Sequence, residues 1–393
     1  MELKTVVEYA LAFLTIFATV FFMLVYLENR EEVKKPNGKS KKFPSITIII
    51  PAFNEGNNIA KTIESALAAS YPKKQVIVVD DGSLDNTLEV ARRFEKRGVL
   101  VLTQANKGKS AALNNALRHA KGELVATLDA DTVIEKDALE KMVGFFDDEK
   151  VAAVTSAIKV LQPKTILEKF QRLEYLQIIF IRKVLSLING VNVTPGPLSL
   201  FRRKVFDEVG NFDEKSILED QEIALRIQAA DYKIASSLDA VVYTSVPKSL
   251  GSLIRQRVRW NRGGLRNLLK HRYLMGPKYG DLGLLIIPMA ILSILMVFTA
   301  LVLGVSALLN NSLGQTFSAG LQGVVLGTNP LYAVSAIIFI LTIAWVFLGV
   351  RQLKNERITF LDVVFYLVVY AQLVAVCWLA TAFEEIAGKR QRW

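Results

Sequence analysis

The sequence predicts an α/β domain with a doubly wound sheet, attached to an α-helical transmembrane bundle. Residues 45–272 alternate short β-branched runs with helical patterns, which is typical of a sheet covered by helices. Four windows are nearly uncharged and about 20 residues long, enough to cross a bilayer: 6–27, 282–309, 331–350 and 363–383. We therefore expect a transmembrane helix in 1–29, the α/β domain in 30–245, an interfacial region in 246–281 and about three spans in 282–393.

The first apolar window could be a cleaved secretory signal or a permanent anchor. Its apolar run is longer than a signal's and lacks a small-residue cleavage site, so we expect an uncleaved anchor. A cluster of lysines follows it, namely Lys34, Lys35, Lys39, Lys41 and Lys42, whereas residues 310–330 contain no Lys or Arg. Because short cytosolic loops are rich in basic residues, we expect a multi-pass cell-membrane protein whose α/β domain is cytosolic.

The C-terminal tail conflicts with four crossings. The basic residues at 351, 354 and 357 fall on the cytosolic side, as the charge rule requires. A fourth crossing would carry Lys389, Arg390 and Arg392 outside. Two explanations stay open: the last apolar window does not cross fully, or residues 317–327 dip into the membrane.

Charge and composition narrow the partners. A formal charge of +11 suits contact with anionic lipid and a pyrophosphate ligand. The basic residues concentrate beside apolar stretches, so we expect no nucleic acid partner. The single Cys377 excludes a disulfide framework, and His119 and His271 alone make a histidine metal site improbable.

The elements of the α/β domain follow in order. Strands are predicted at 45–50, 75–79, 99–103 and 123–128, and helices at 59–69, 85–96 and 109–120. Two later stretches, 166–188 and 250–273, mix apolar and basic residues and are expected to lie in the membrane interface, although ordinary domain helices are the alternative. Ligands bind beyond the carboxyl ends of parallel strands, so the polar residues that follow the strands should converge on one crevice.

Asp129 and Asp131 directly follow the predicted fourth strand. Two carboxylates at this spacing suit a hard divalent cation that also contacts a diphosphate, so Mg²⁺ or Mn²⁺ is the expected cofactor. A chance D-x-D on a surface turn is the alternative.

Four motifs in a fixed order resemble the membrane-embedded glycosyltransferases of family 2, which include cellulose, chitin, hyaluronan and poly-N-acetylglucosamine synthases. They are Asp80-Asp81, Asp129-Ala130-Asp131, Glu219-Asp220 and Gln256-Arg257-Val258-Arg259-Trp260. The continuation Arg-Trp-x-x-Gly-Gly looks most like the poly-N-acetylglucosamine branch, whereas the segment 194–203 is closer to hyaluronan and chitin synthases. The resemblance implies a GT-A-type, Rossmann-like nucleotide-diphospho-sugar transferase domain.

The resemblance also implies roles at the donor side. Asp81 would contact a uracil ring on which Phe53 stacks, while Glu55 and Lys109 would lie near the nucleotide. The alternatives are that Asp80 and Asp81 cap the next helix and that Lys109 begins an exposed helix. A Walker loop around Lys109 is rejected, because Thr103 stands where that motif needs glycine.

The Glu219-Asp220 pair matches the family's acidic block except that Leu218 replaces a threonine. An inverting transfer needs a base that takes the proton of the attacking hydroxyl, and Asp220, next to Glu219, is the candidate. Acidic residues also favour a helix N-terminus, which is the structural alternative.

Three side chains of the last motif should share a helix face. Gln256 and Arg259 are expected to hold donor pyrophosphate, and Trp260 to offer a flat platform for an acceptor sugar. An interfacial arginine with an aromatic anchor is the alternative.

The expected activity is therefore the transfer of a sugar from a UDP-sugar donor, such as UDP-GlcNAc, to a β-linked polysaccharide, coupled to export. The small number of spans suggests a homo-oligomer or an accessory export protein. Two alternatives remain: a non-processive transferase acting on a lipid acceptor such as polyprenyl phosphate or diacylglycerol, and a non-enzymatic nucleotide-sugar-binding membrane protein.

Overall fold

The computed structural model describes residues 3–34, 43–309 and 330–388. The uncharged loop, the segment 317–327 and the basic residues of the tail lie outside this part of the chain.

A mixed sheet of eight strands forms the centre of the α/β domain. The strands are β1 (Ile46–Ala52), β2 (Lys74–Asp80), β3 (Leu100–Thr103), β4 (Leu124–Thr127), β5 (Thr132–Ile134), β6 (Val151–Val160), β7 (Ser199–Arg202) and β8 (Lys233–Thr244). Their order across the sheet is β3-β2-β1-β4-β7-β6-β8-β5. The four strands predicted from the sequence are confirmed and form the parallel half.

The second half of the sheet departs from a purely parallel arrangement. Strand β7 runs antiparallel to β4 and β6, while β6 pairs with β8 in parallel and β5 closes the edge antiparallel to β8. All ten residues of β6 are buried, so its sequence shows no alternation of apolar and polar residues. Such a strand cannot be distinguished from a buried helix by periodicity alone.

Helices cover both faces of the sheet and extend into the apolar parts of the chain. They are α1 (Leu3–Glu28), α2 (Arg30–Lys34), α3 (Ile59–Ala68), α4 (Thr87–Arg92), α5 (Lys109–Leu117), α6 (Ala138–Val143), α7 (Ile166–Leu187), α8 (Arg203–Val209), α9 (Glu219–Ala229), α10 (Leu250–Lys270), α11 (Ile287–Leu309), α12 (Pro330–Arg351), α13 (Phe360–Phe365) and α14 (Ala371–Ile386). The predicted helix 85–96 is shorter than expected. The α-helical part is α4, which ends at Arg92, and a 3-10 turn follows at Glu95–Arg97.

Two apolar layers bury the sheet. One contains side chains of β1, β2, β4 and α3, such as Ile48, Ile63 and Val78. The other contains Ile49 and Ile77 from the opposite face of the same strands, packed against α5 and α9. Strand alternation sends neighbouring residues to opposite layers, and burial on both faces explains the continuous apolar runs of β1 and β2.

The two amphipathic helices begin at side-chain caps. Thr165 and Glu168 form a capping box at α7, and Ser249 and Ser252 form one at α10. Each box pairs backbone N–H groups that a helix start would leave without partners. These helices join the sheet to the apolar helices: α7 packs on β6, β8 and α12, and α10 packs on α14.

Four helices in the described residues are long and apolar enough to cross a membrane: Thr5–Glu28, Leu282–Leu303, Ala333–Arg351 and Phe360–Ile386. They coincide with the four windows expected from hydropathy.

Candidate active site

The loops after β1 and β2 are tied to each other at one edge of the sheet. The Asn54 side chain accepts a hydrogen bond from the backbone N–H of Leu84 (2.8 Å), and the backbone N–H of Asn54 donates to the Ser83 hydroxyl (3.0 Å). Asn54 has a φ of 55°, a left-handed conformation that Asn tolerates better than most residues. The Glu55 N–H donates to the Thr87 hydroxyl, 2.7 Å away. These bonds hold half-buried Phe53 and Glu55 beside the end of β2.

Asp81 lies buried under the turn that precedes α5. Its Oδ1 accepts hydrogen bonds from the Gln104 side chain (2.7 Å) and the Lys107 N–H (3.0 Å), and its Oδ2 accepts one from the Gly108 N–H (2.8 Å). At the start of α4 the Asp85 side chain accepts a hydrogen bond from the Thr87 N–H (3.0 Å), and neither Asp80 nor Asp81 caps this helix. These hydrogen bonds of Asp81 shape the turn that carries Lys109. The contact of Asp81 with a uracil ring stays a prediction.

Asp129 and Asp131 follow β4, which pairs with β1, so both stand near the β1 loop. Asp131 accepts hydrogen bonds from the hydroxyls of Thr132 and Thr244, each 3.3 Å away. Burial, followed by the negative charges of Asp129 and Glu55, raises the pKa of Asp131 to about 6. Burial likewise raises the pKa of Glu55. Three carboxyl groups therefore repel one another at this edge of the sheet.

The donor set fits a divalent cation that shares its shell with a ligand. In the described ranges no three His, Cys, Asp or Glu side chains form a cluster that could hold a metal alone. Mg²⁺ commonly takes only one or two carboxylates and completes its shell with water and phosphate oxygens. Asp129 and Asp131 fit that pattern, because a cation would offset both the burial and the repulsion that raise the pKa of Asp131.

Lys109 connects the two acidic motifs. Its Nζ lies 2.6 Å from Asp129 Oδ1 and 3.0 Å from Glu219 Oε1. Burial alone would lower the pKa of Lys109, but the charges of Asp129, Glu219 and Asp220 together raise it. Its side chain is 13% exposed, so the alternative of a solvent-exposed helix start is wrong.

The loop before β7 approaches this ion pair closely. A Cβ added to Gly196 would come within 2.3 Å of Lys109 Nζ and 2.6 Å of both Asp129 carboxylate oxygens. The Gly196 carbonyl also accepts a hydrogen bond from the Asp129 N–H (3.2 Å). A side chain at 196 would displace Lys109 or Asp129, and glycine avoids this clash.

Glu219 and Asp220 form the first turn of α9, as both the functional and the structural interpretation require. The Asp220 carbonyl accepts hydrogen bonds from the N–H (3.1 Å) and hydroxyl (2.8 Å) of Thr194, which fixes the start of the helix. Burial and then the charge of Glu219 raise the pKa of the Asp220 carboxyl to about 7, although Lys109 and Arg259 oppose this shift. A carboxyl group with such a pKa can accept a proton near neutral pH.

The Leu218 side chain packs against Gly263 of α10. A Cβ on Gly263 would meet the Leu218 side chain at 2.8 Å, so Leu218 packs directly against the backbone of α10. The Asn267 side chain, one turn further along α10, donates to the Leu218 carbonyl (2.9 Å). The residue that departs from the family pattern therefore sits at the contact between α9 and α10.

Gln256, Arg259 and Trp260 of α10 line the same cavity as the acidic groups. The guanidinium of Arg257 stacks on the Trp260 ring, 4.0 Å from its centroid, and pairs with Glu174 of α7. Its Nη1 also donates to the Gln256 side chain (2.7 Å). Arg257 thus orients two of its neighbours, a role that the sequence analysis missed because the family motif leaves this position unspecified.

One cavity of about 480 Å³ joins eight of the eleven expected site residues. They are Lys109, Asp129, Asp131, Glu219, Asp220, Gln256, Arg259 and Trp260. Phe53, Glu55 and Asp81 lie beside it at the ends of β1 and β2 and do not line it. Four elements far apart in sequence thus contribute to one site.

Arg182 of α7 lines the cavity and was not expected from the sequence. It is 8% exposed, and its Nη1 has no hydrogen-bond partner among the described residues. Burial lowers the pKa of Arg182 to about 10, against the opposing charge of Asp220. An arginine in an amphipathic helix normally faces the headgroups, so no sequence signal distinguished it.

Comparison with known proteins adds the family. Residues 47–210 match glycosyl transferase family 2. A poly-beta-1,6-N-acetyl-D-glucosamine synthase of Staphylococcus aureus is 32% identical over 271 residues, and the alignment covers 66% of this chain and 66% of that protein. The synthase of the same name from Staphylococcus epidermidis is 36% identical over 229 residues, or 57% of this chain and 56% of that one.

A solved structure shares the whole architecture. The mannosyltransferase PcManGT from Pyrobaculum calidifontis, in complex with GDP-Man and Mn²⁺, superposes with a TM-score of 0.63 and covers 98% of this chain and 100% of its own. Its sequence identity is 22%, so the likeness confirms the GT-A-like fold with its attached apolar helices and nothing finer.

Proposed function

The chain belongs to glycosyl transferase family 2, and from this membership and the site geometry we propose an inverting membrane glycosyltransferase. It would move a hexose or N-acetylhexosamine from a UDP-sugar, such as UDP-GlcNAc, onto a growing β-linked polysaccharide. The main observation that supports this activity is that Asp220 lines one cavity with the Asp129–Asp131 pair and Trp260. A base, a diphosphate site and an acceptor platform within one cavity suit direct displacement at the anomeric carbon.

On the donor side, Asp129 and Asp131 would hold Mg²⁺ or Mn²⁺, which supplies positive charge to the departing diphosphate. Arg259 and Gln256 reach the same cavity from α10, and an arginine stabilises phosphate oxygens as charge develops on them. Phe53, Glu55 and Asp81 are assigned to the nucleotide by family resemblance. Lys109 keeps Asp129 and Glu219 in place through its two ion pairs.

On the acceptor side, Asp220 takes the proton from the attacking hydroxyl. Its raised pKa makes it a stronger base than an ordinary aspartate. Trp260 offers its indole as a stacking surface, steadied by Arg257. Arg182 brings a buried positive charge near Asp220, which an anionic group of either substrate would compensate.

The proposed setting is the cell membrane, with the α/β domain in the cytosol where nucleotide sugars are made. The four long apolar helices support insertion, and the lysines after α1 support this orientation. The four apolar helices found in the described ranges leave room for only a narrow passage, so export of a polymer would need a second copy or an accessory protein.

A lipid acceptor is the second candidate, and one observation favours it. A smaller cavity of about 180 Å³ shares Ile178 and Trp260 with the main one and is lined by Tyr370, Leu373 and Cys377 of the last apolar helix. The acceptor side therefore continues toward a surface that faces lipid. The third alternative, a non-enzymatic sugar-binding protein, is disfavoured because all three acidic motifs are present and two of them, Asp129–Asp131 and Glu219–Asp220, line one cavity.

UDP release tests the proposed chemistry. Purified full-length protein with Mg²⁺ or Mn²⁺ should release UDP from at least one UDP-sugar, and Asp220→Asn should slow this by about 10²–10⁴ while leaving UDP binding intact. Asp231→Asn is a matched control, since this aspartate is 87% exposed and pairs only with exposed Lys150 in the described structure. Equal rates for the two variants, or no release from any UDP-sugar, would contradict the proposal.

A further inference from the structure

We propose that the last apolar helix, Phe360–Ile386, does not cross the bilayer but lies in its interface on the side of the α/β domain. This segment, hereafter the C-terminal helix, comprises α13, a π-helical turn and α14. Its 27 residues are long and apolar enough for a span. A crossing helix, however, would carry one end about 30 Å from the α/β domain, across the hydrocarbon core. The contacts instead hold its beginning on that domain and its far end on α10, the helix that packs beside the domain and lines its cavity.

The beginning of the C-terminal helix is fastened to β6 and α7. Glu356, four residues before it, lies 3.0 Å from Lys159 Nζ and accepts a hydrogen bond from Arg172 Nε (3.1 Å). Further along, the Tyr370 hydroxyl donates to Glu174 of α7 at 2.9 Å. Lys159 is in the central sheet, so this end of the helix is at the domain surface.

The far end of the C-terminal helix is fastened to α10. Glu385 accepts hydrogen bonds from Arg262 Nε (3.0 Å) and from Arg266 Nε and Nη2 (3.0 Å each), and Glu384 lies 3.1 Å from Arg262 Nη1. Arg262 is only 1% exposed, so these carboxylates neutralise a buried cation. Breaking such a pair is costly, which makes this end firmly held.

Helix α10 is itself too polar to enter the hydrocarbon. It carries basic residues at positions 255, 257, 259, 262, 266 and 270 and holds the motif that lines the cavity. Charged side chains at the centre of a bilayer are strongly unfavourable. A helix that runs along α10 to the carboxylates at 384 and 385 therefore stays at the depth of the headgroups.

The exposed side of the C-terminal helix fits lipid acyl chains. Leu361, Phe365, Val368, Val376, Leu379 and Phe383 are between 45% and 66% exposed and recur at helical spacing on one face. The opposite face buries Val363, Tyr370, Cys377 and Thr381 against the protein. A helix with one face on the protein and one apolar face outward is suited to lie in the membrane plane, next to the spans α1, α11 and α12.

This placement resolves the conflict in the charge pattern. With three crossings, by α1, α11 and α12, the tail that follows residue 388 is on the same side as the α/β domain. Lys389, Arg390 and Arg392 then obey the charge rule without a dip of residues 317–327. The C-terminal helix also becomes the lipid-side wall of the smaller cavity beside Trp260.

Relative sidedness of single cysteines tests this placement. In full-length protein with Cys377→Ala, we would compare Ala387→Cys with Leu84→Cys, a position 90% exposed in the α/β domain, and with Asn311→Cys between α11 and α12. We would apply an impermeant maleimide to intact cells or to inverted vesicles. Positions 387 and 84 should be labelled in the same preparation, and position 311 should be labelled in the other one. Labelling after solubilisation gives the total thiol for each variant.

A crossing helix would make position 387 respond like 311 and unlike 84, which would overturn the proposal. The comparison does not depend on the overall orientation or on the activity, and UDP release from the same vesicles reports the proposed function separately.

Depth measurement gives a second reading. A fluorophore placed at Val368, Val376 or Phe383 in vesicles of phosphatidylcholine and phosphatidylglycerol should be quenched about equally by spin-labelled lipid, and best when the label is near the headgroup. Strongest quenching of position 376 by a label near the chain end, with weak quenching at the other two, would show a crossing helix instead.

Discussion

At the scale of single residues, the proposed transfer depends on Asp220, a half-buried carboxyl group next to Glu219. The pKa of Asp220 is raised to about 7 because burial and the charge of Glu219 disfavour its ionised form, while Lys109 and Arg259 favour that form. The order of the acidic motifs predicted Asp220, Asp129 and Asp131 as site residues, and the structure places all three in one cavity. Arg182 and Arg257 could not be selected, because their importance depends on which neighbours a helix faces after folding.

The pH dependence of transfer should report Asp220. Its pKa is raised to about 7, so the carboxyl is protonated and inactive as a base below that pH and ionised above it. The rate at saturating donor should therefore rise with pH through about 7 and then level off. A rate that stays constant from one pH unit below neutrality to one pH unit above it would argue against Asp220 as the base.

Removal of divalent cations should abolish transfer. Asp129 and Asp131 are the only carboxylates assigned to the metal, and the described residues contain no cluster that binds one without the diphosphate. Chelator should stop UDP release, and added Mg²⁺ or Mn²⁺ should restore it. Full activity in excess chelator would exclude the assigned role.

Trp260→Ala should impair transfer to the acceptor and leave binding of the donor nucleotide nearly unchanged. The change removes the stacking surface, while Asp81, Asp129 and Asp131 remain for the donor. Transfer to a sugar acceptor should fall by roughly 10-fold or more, with UDP affinity nearly unchanged in calorimetry. An equal loss of both would place the indole on the nucleotide side.

At the scale of elements, the contact of α9 with α10 sets the geometry of the site. Glu222, fully buried, accepts hydrogen bonds from Arg226 (2.8 Å) and Lys270 (2.6 Å) and lies 3.2 Å from His271 Nε2. Burial alone would raise the pKa of Glu222, but these three partners lower it to about 2. Asp220, the proposed base at the start of α9, is thereby held against the helix that carries Trp260.

Glu222→Gln should destabilise the protein, because it removes a buried carboxylate charge that Arg226, Lys270 and buried His271 share. Loss of charged hydrogen bonds of this kind costs roughly 1–3 kcal/mol. Thermal unfolding in detergent should shift clearly downward relative to Glu89→Gln, a control whose carboxylate is 70% exposed and pairs with exposed Arg93. Equal midpoints for the two variants would show that the cluster adds nothing to stability.

Elements with a clear period were predictable from the sequence, and the others were not. Strands β1 to β4 are bounded by polar turns and separated by helices, so their pattern identified them. Strands β5 and β7 are only three and four residues long, and β6 is buried throughout. Pairing across more than seventy residues, as between β4 and β7, depends on tertiary contacts that a local pattern does not contain.

At the scale of the whole molecule, a soluble-type fold is joined to the membrane by helices that also build the site. Helix α7 supplies Arg182 to the cavity and packs on α1 and α12, and α10 supplies Trp260 and packs on α14. Hydropathy correctly located the four apolar helices but did not distinguish a crossing helix from one that lies in the interface. That distinction rests on ion pairs such as Arg262 with Glu384 and Glu385.

The length of the product distinguishes polymer synthesis from the transfer of a single sugar to a lipid. Purified protein with labelled UDP-GlcNAc and other UDP-sugars at saturating concentration should form a product whose gel filtration shows chains of many sugars. Asp220→Asn should form this product about 10²–10⁴ times more slowly. Product no longer than one sugar attached to lipid, under the same saturating donor, would contradict polymer synthesis and establish the lipid-acceptor alternative.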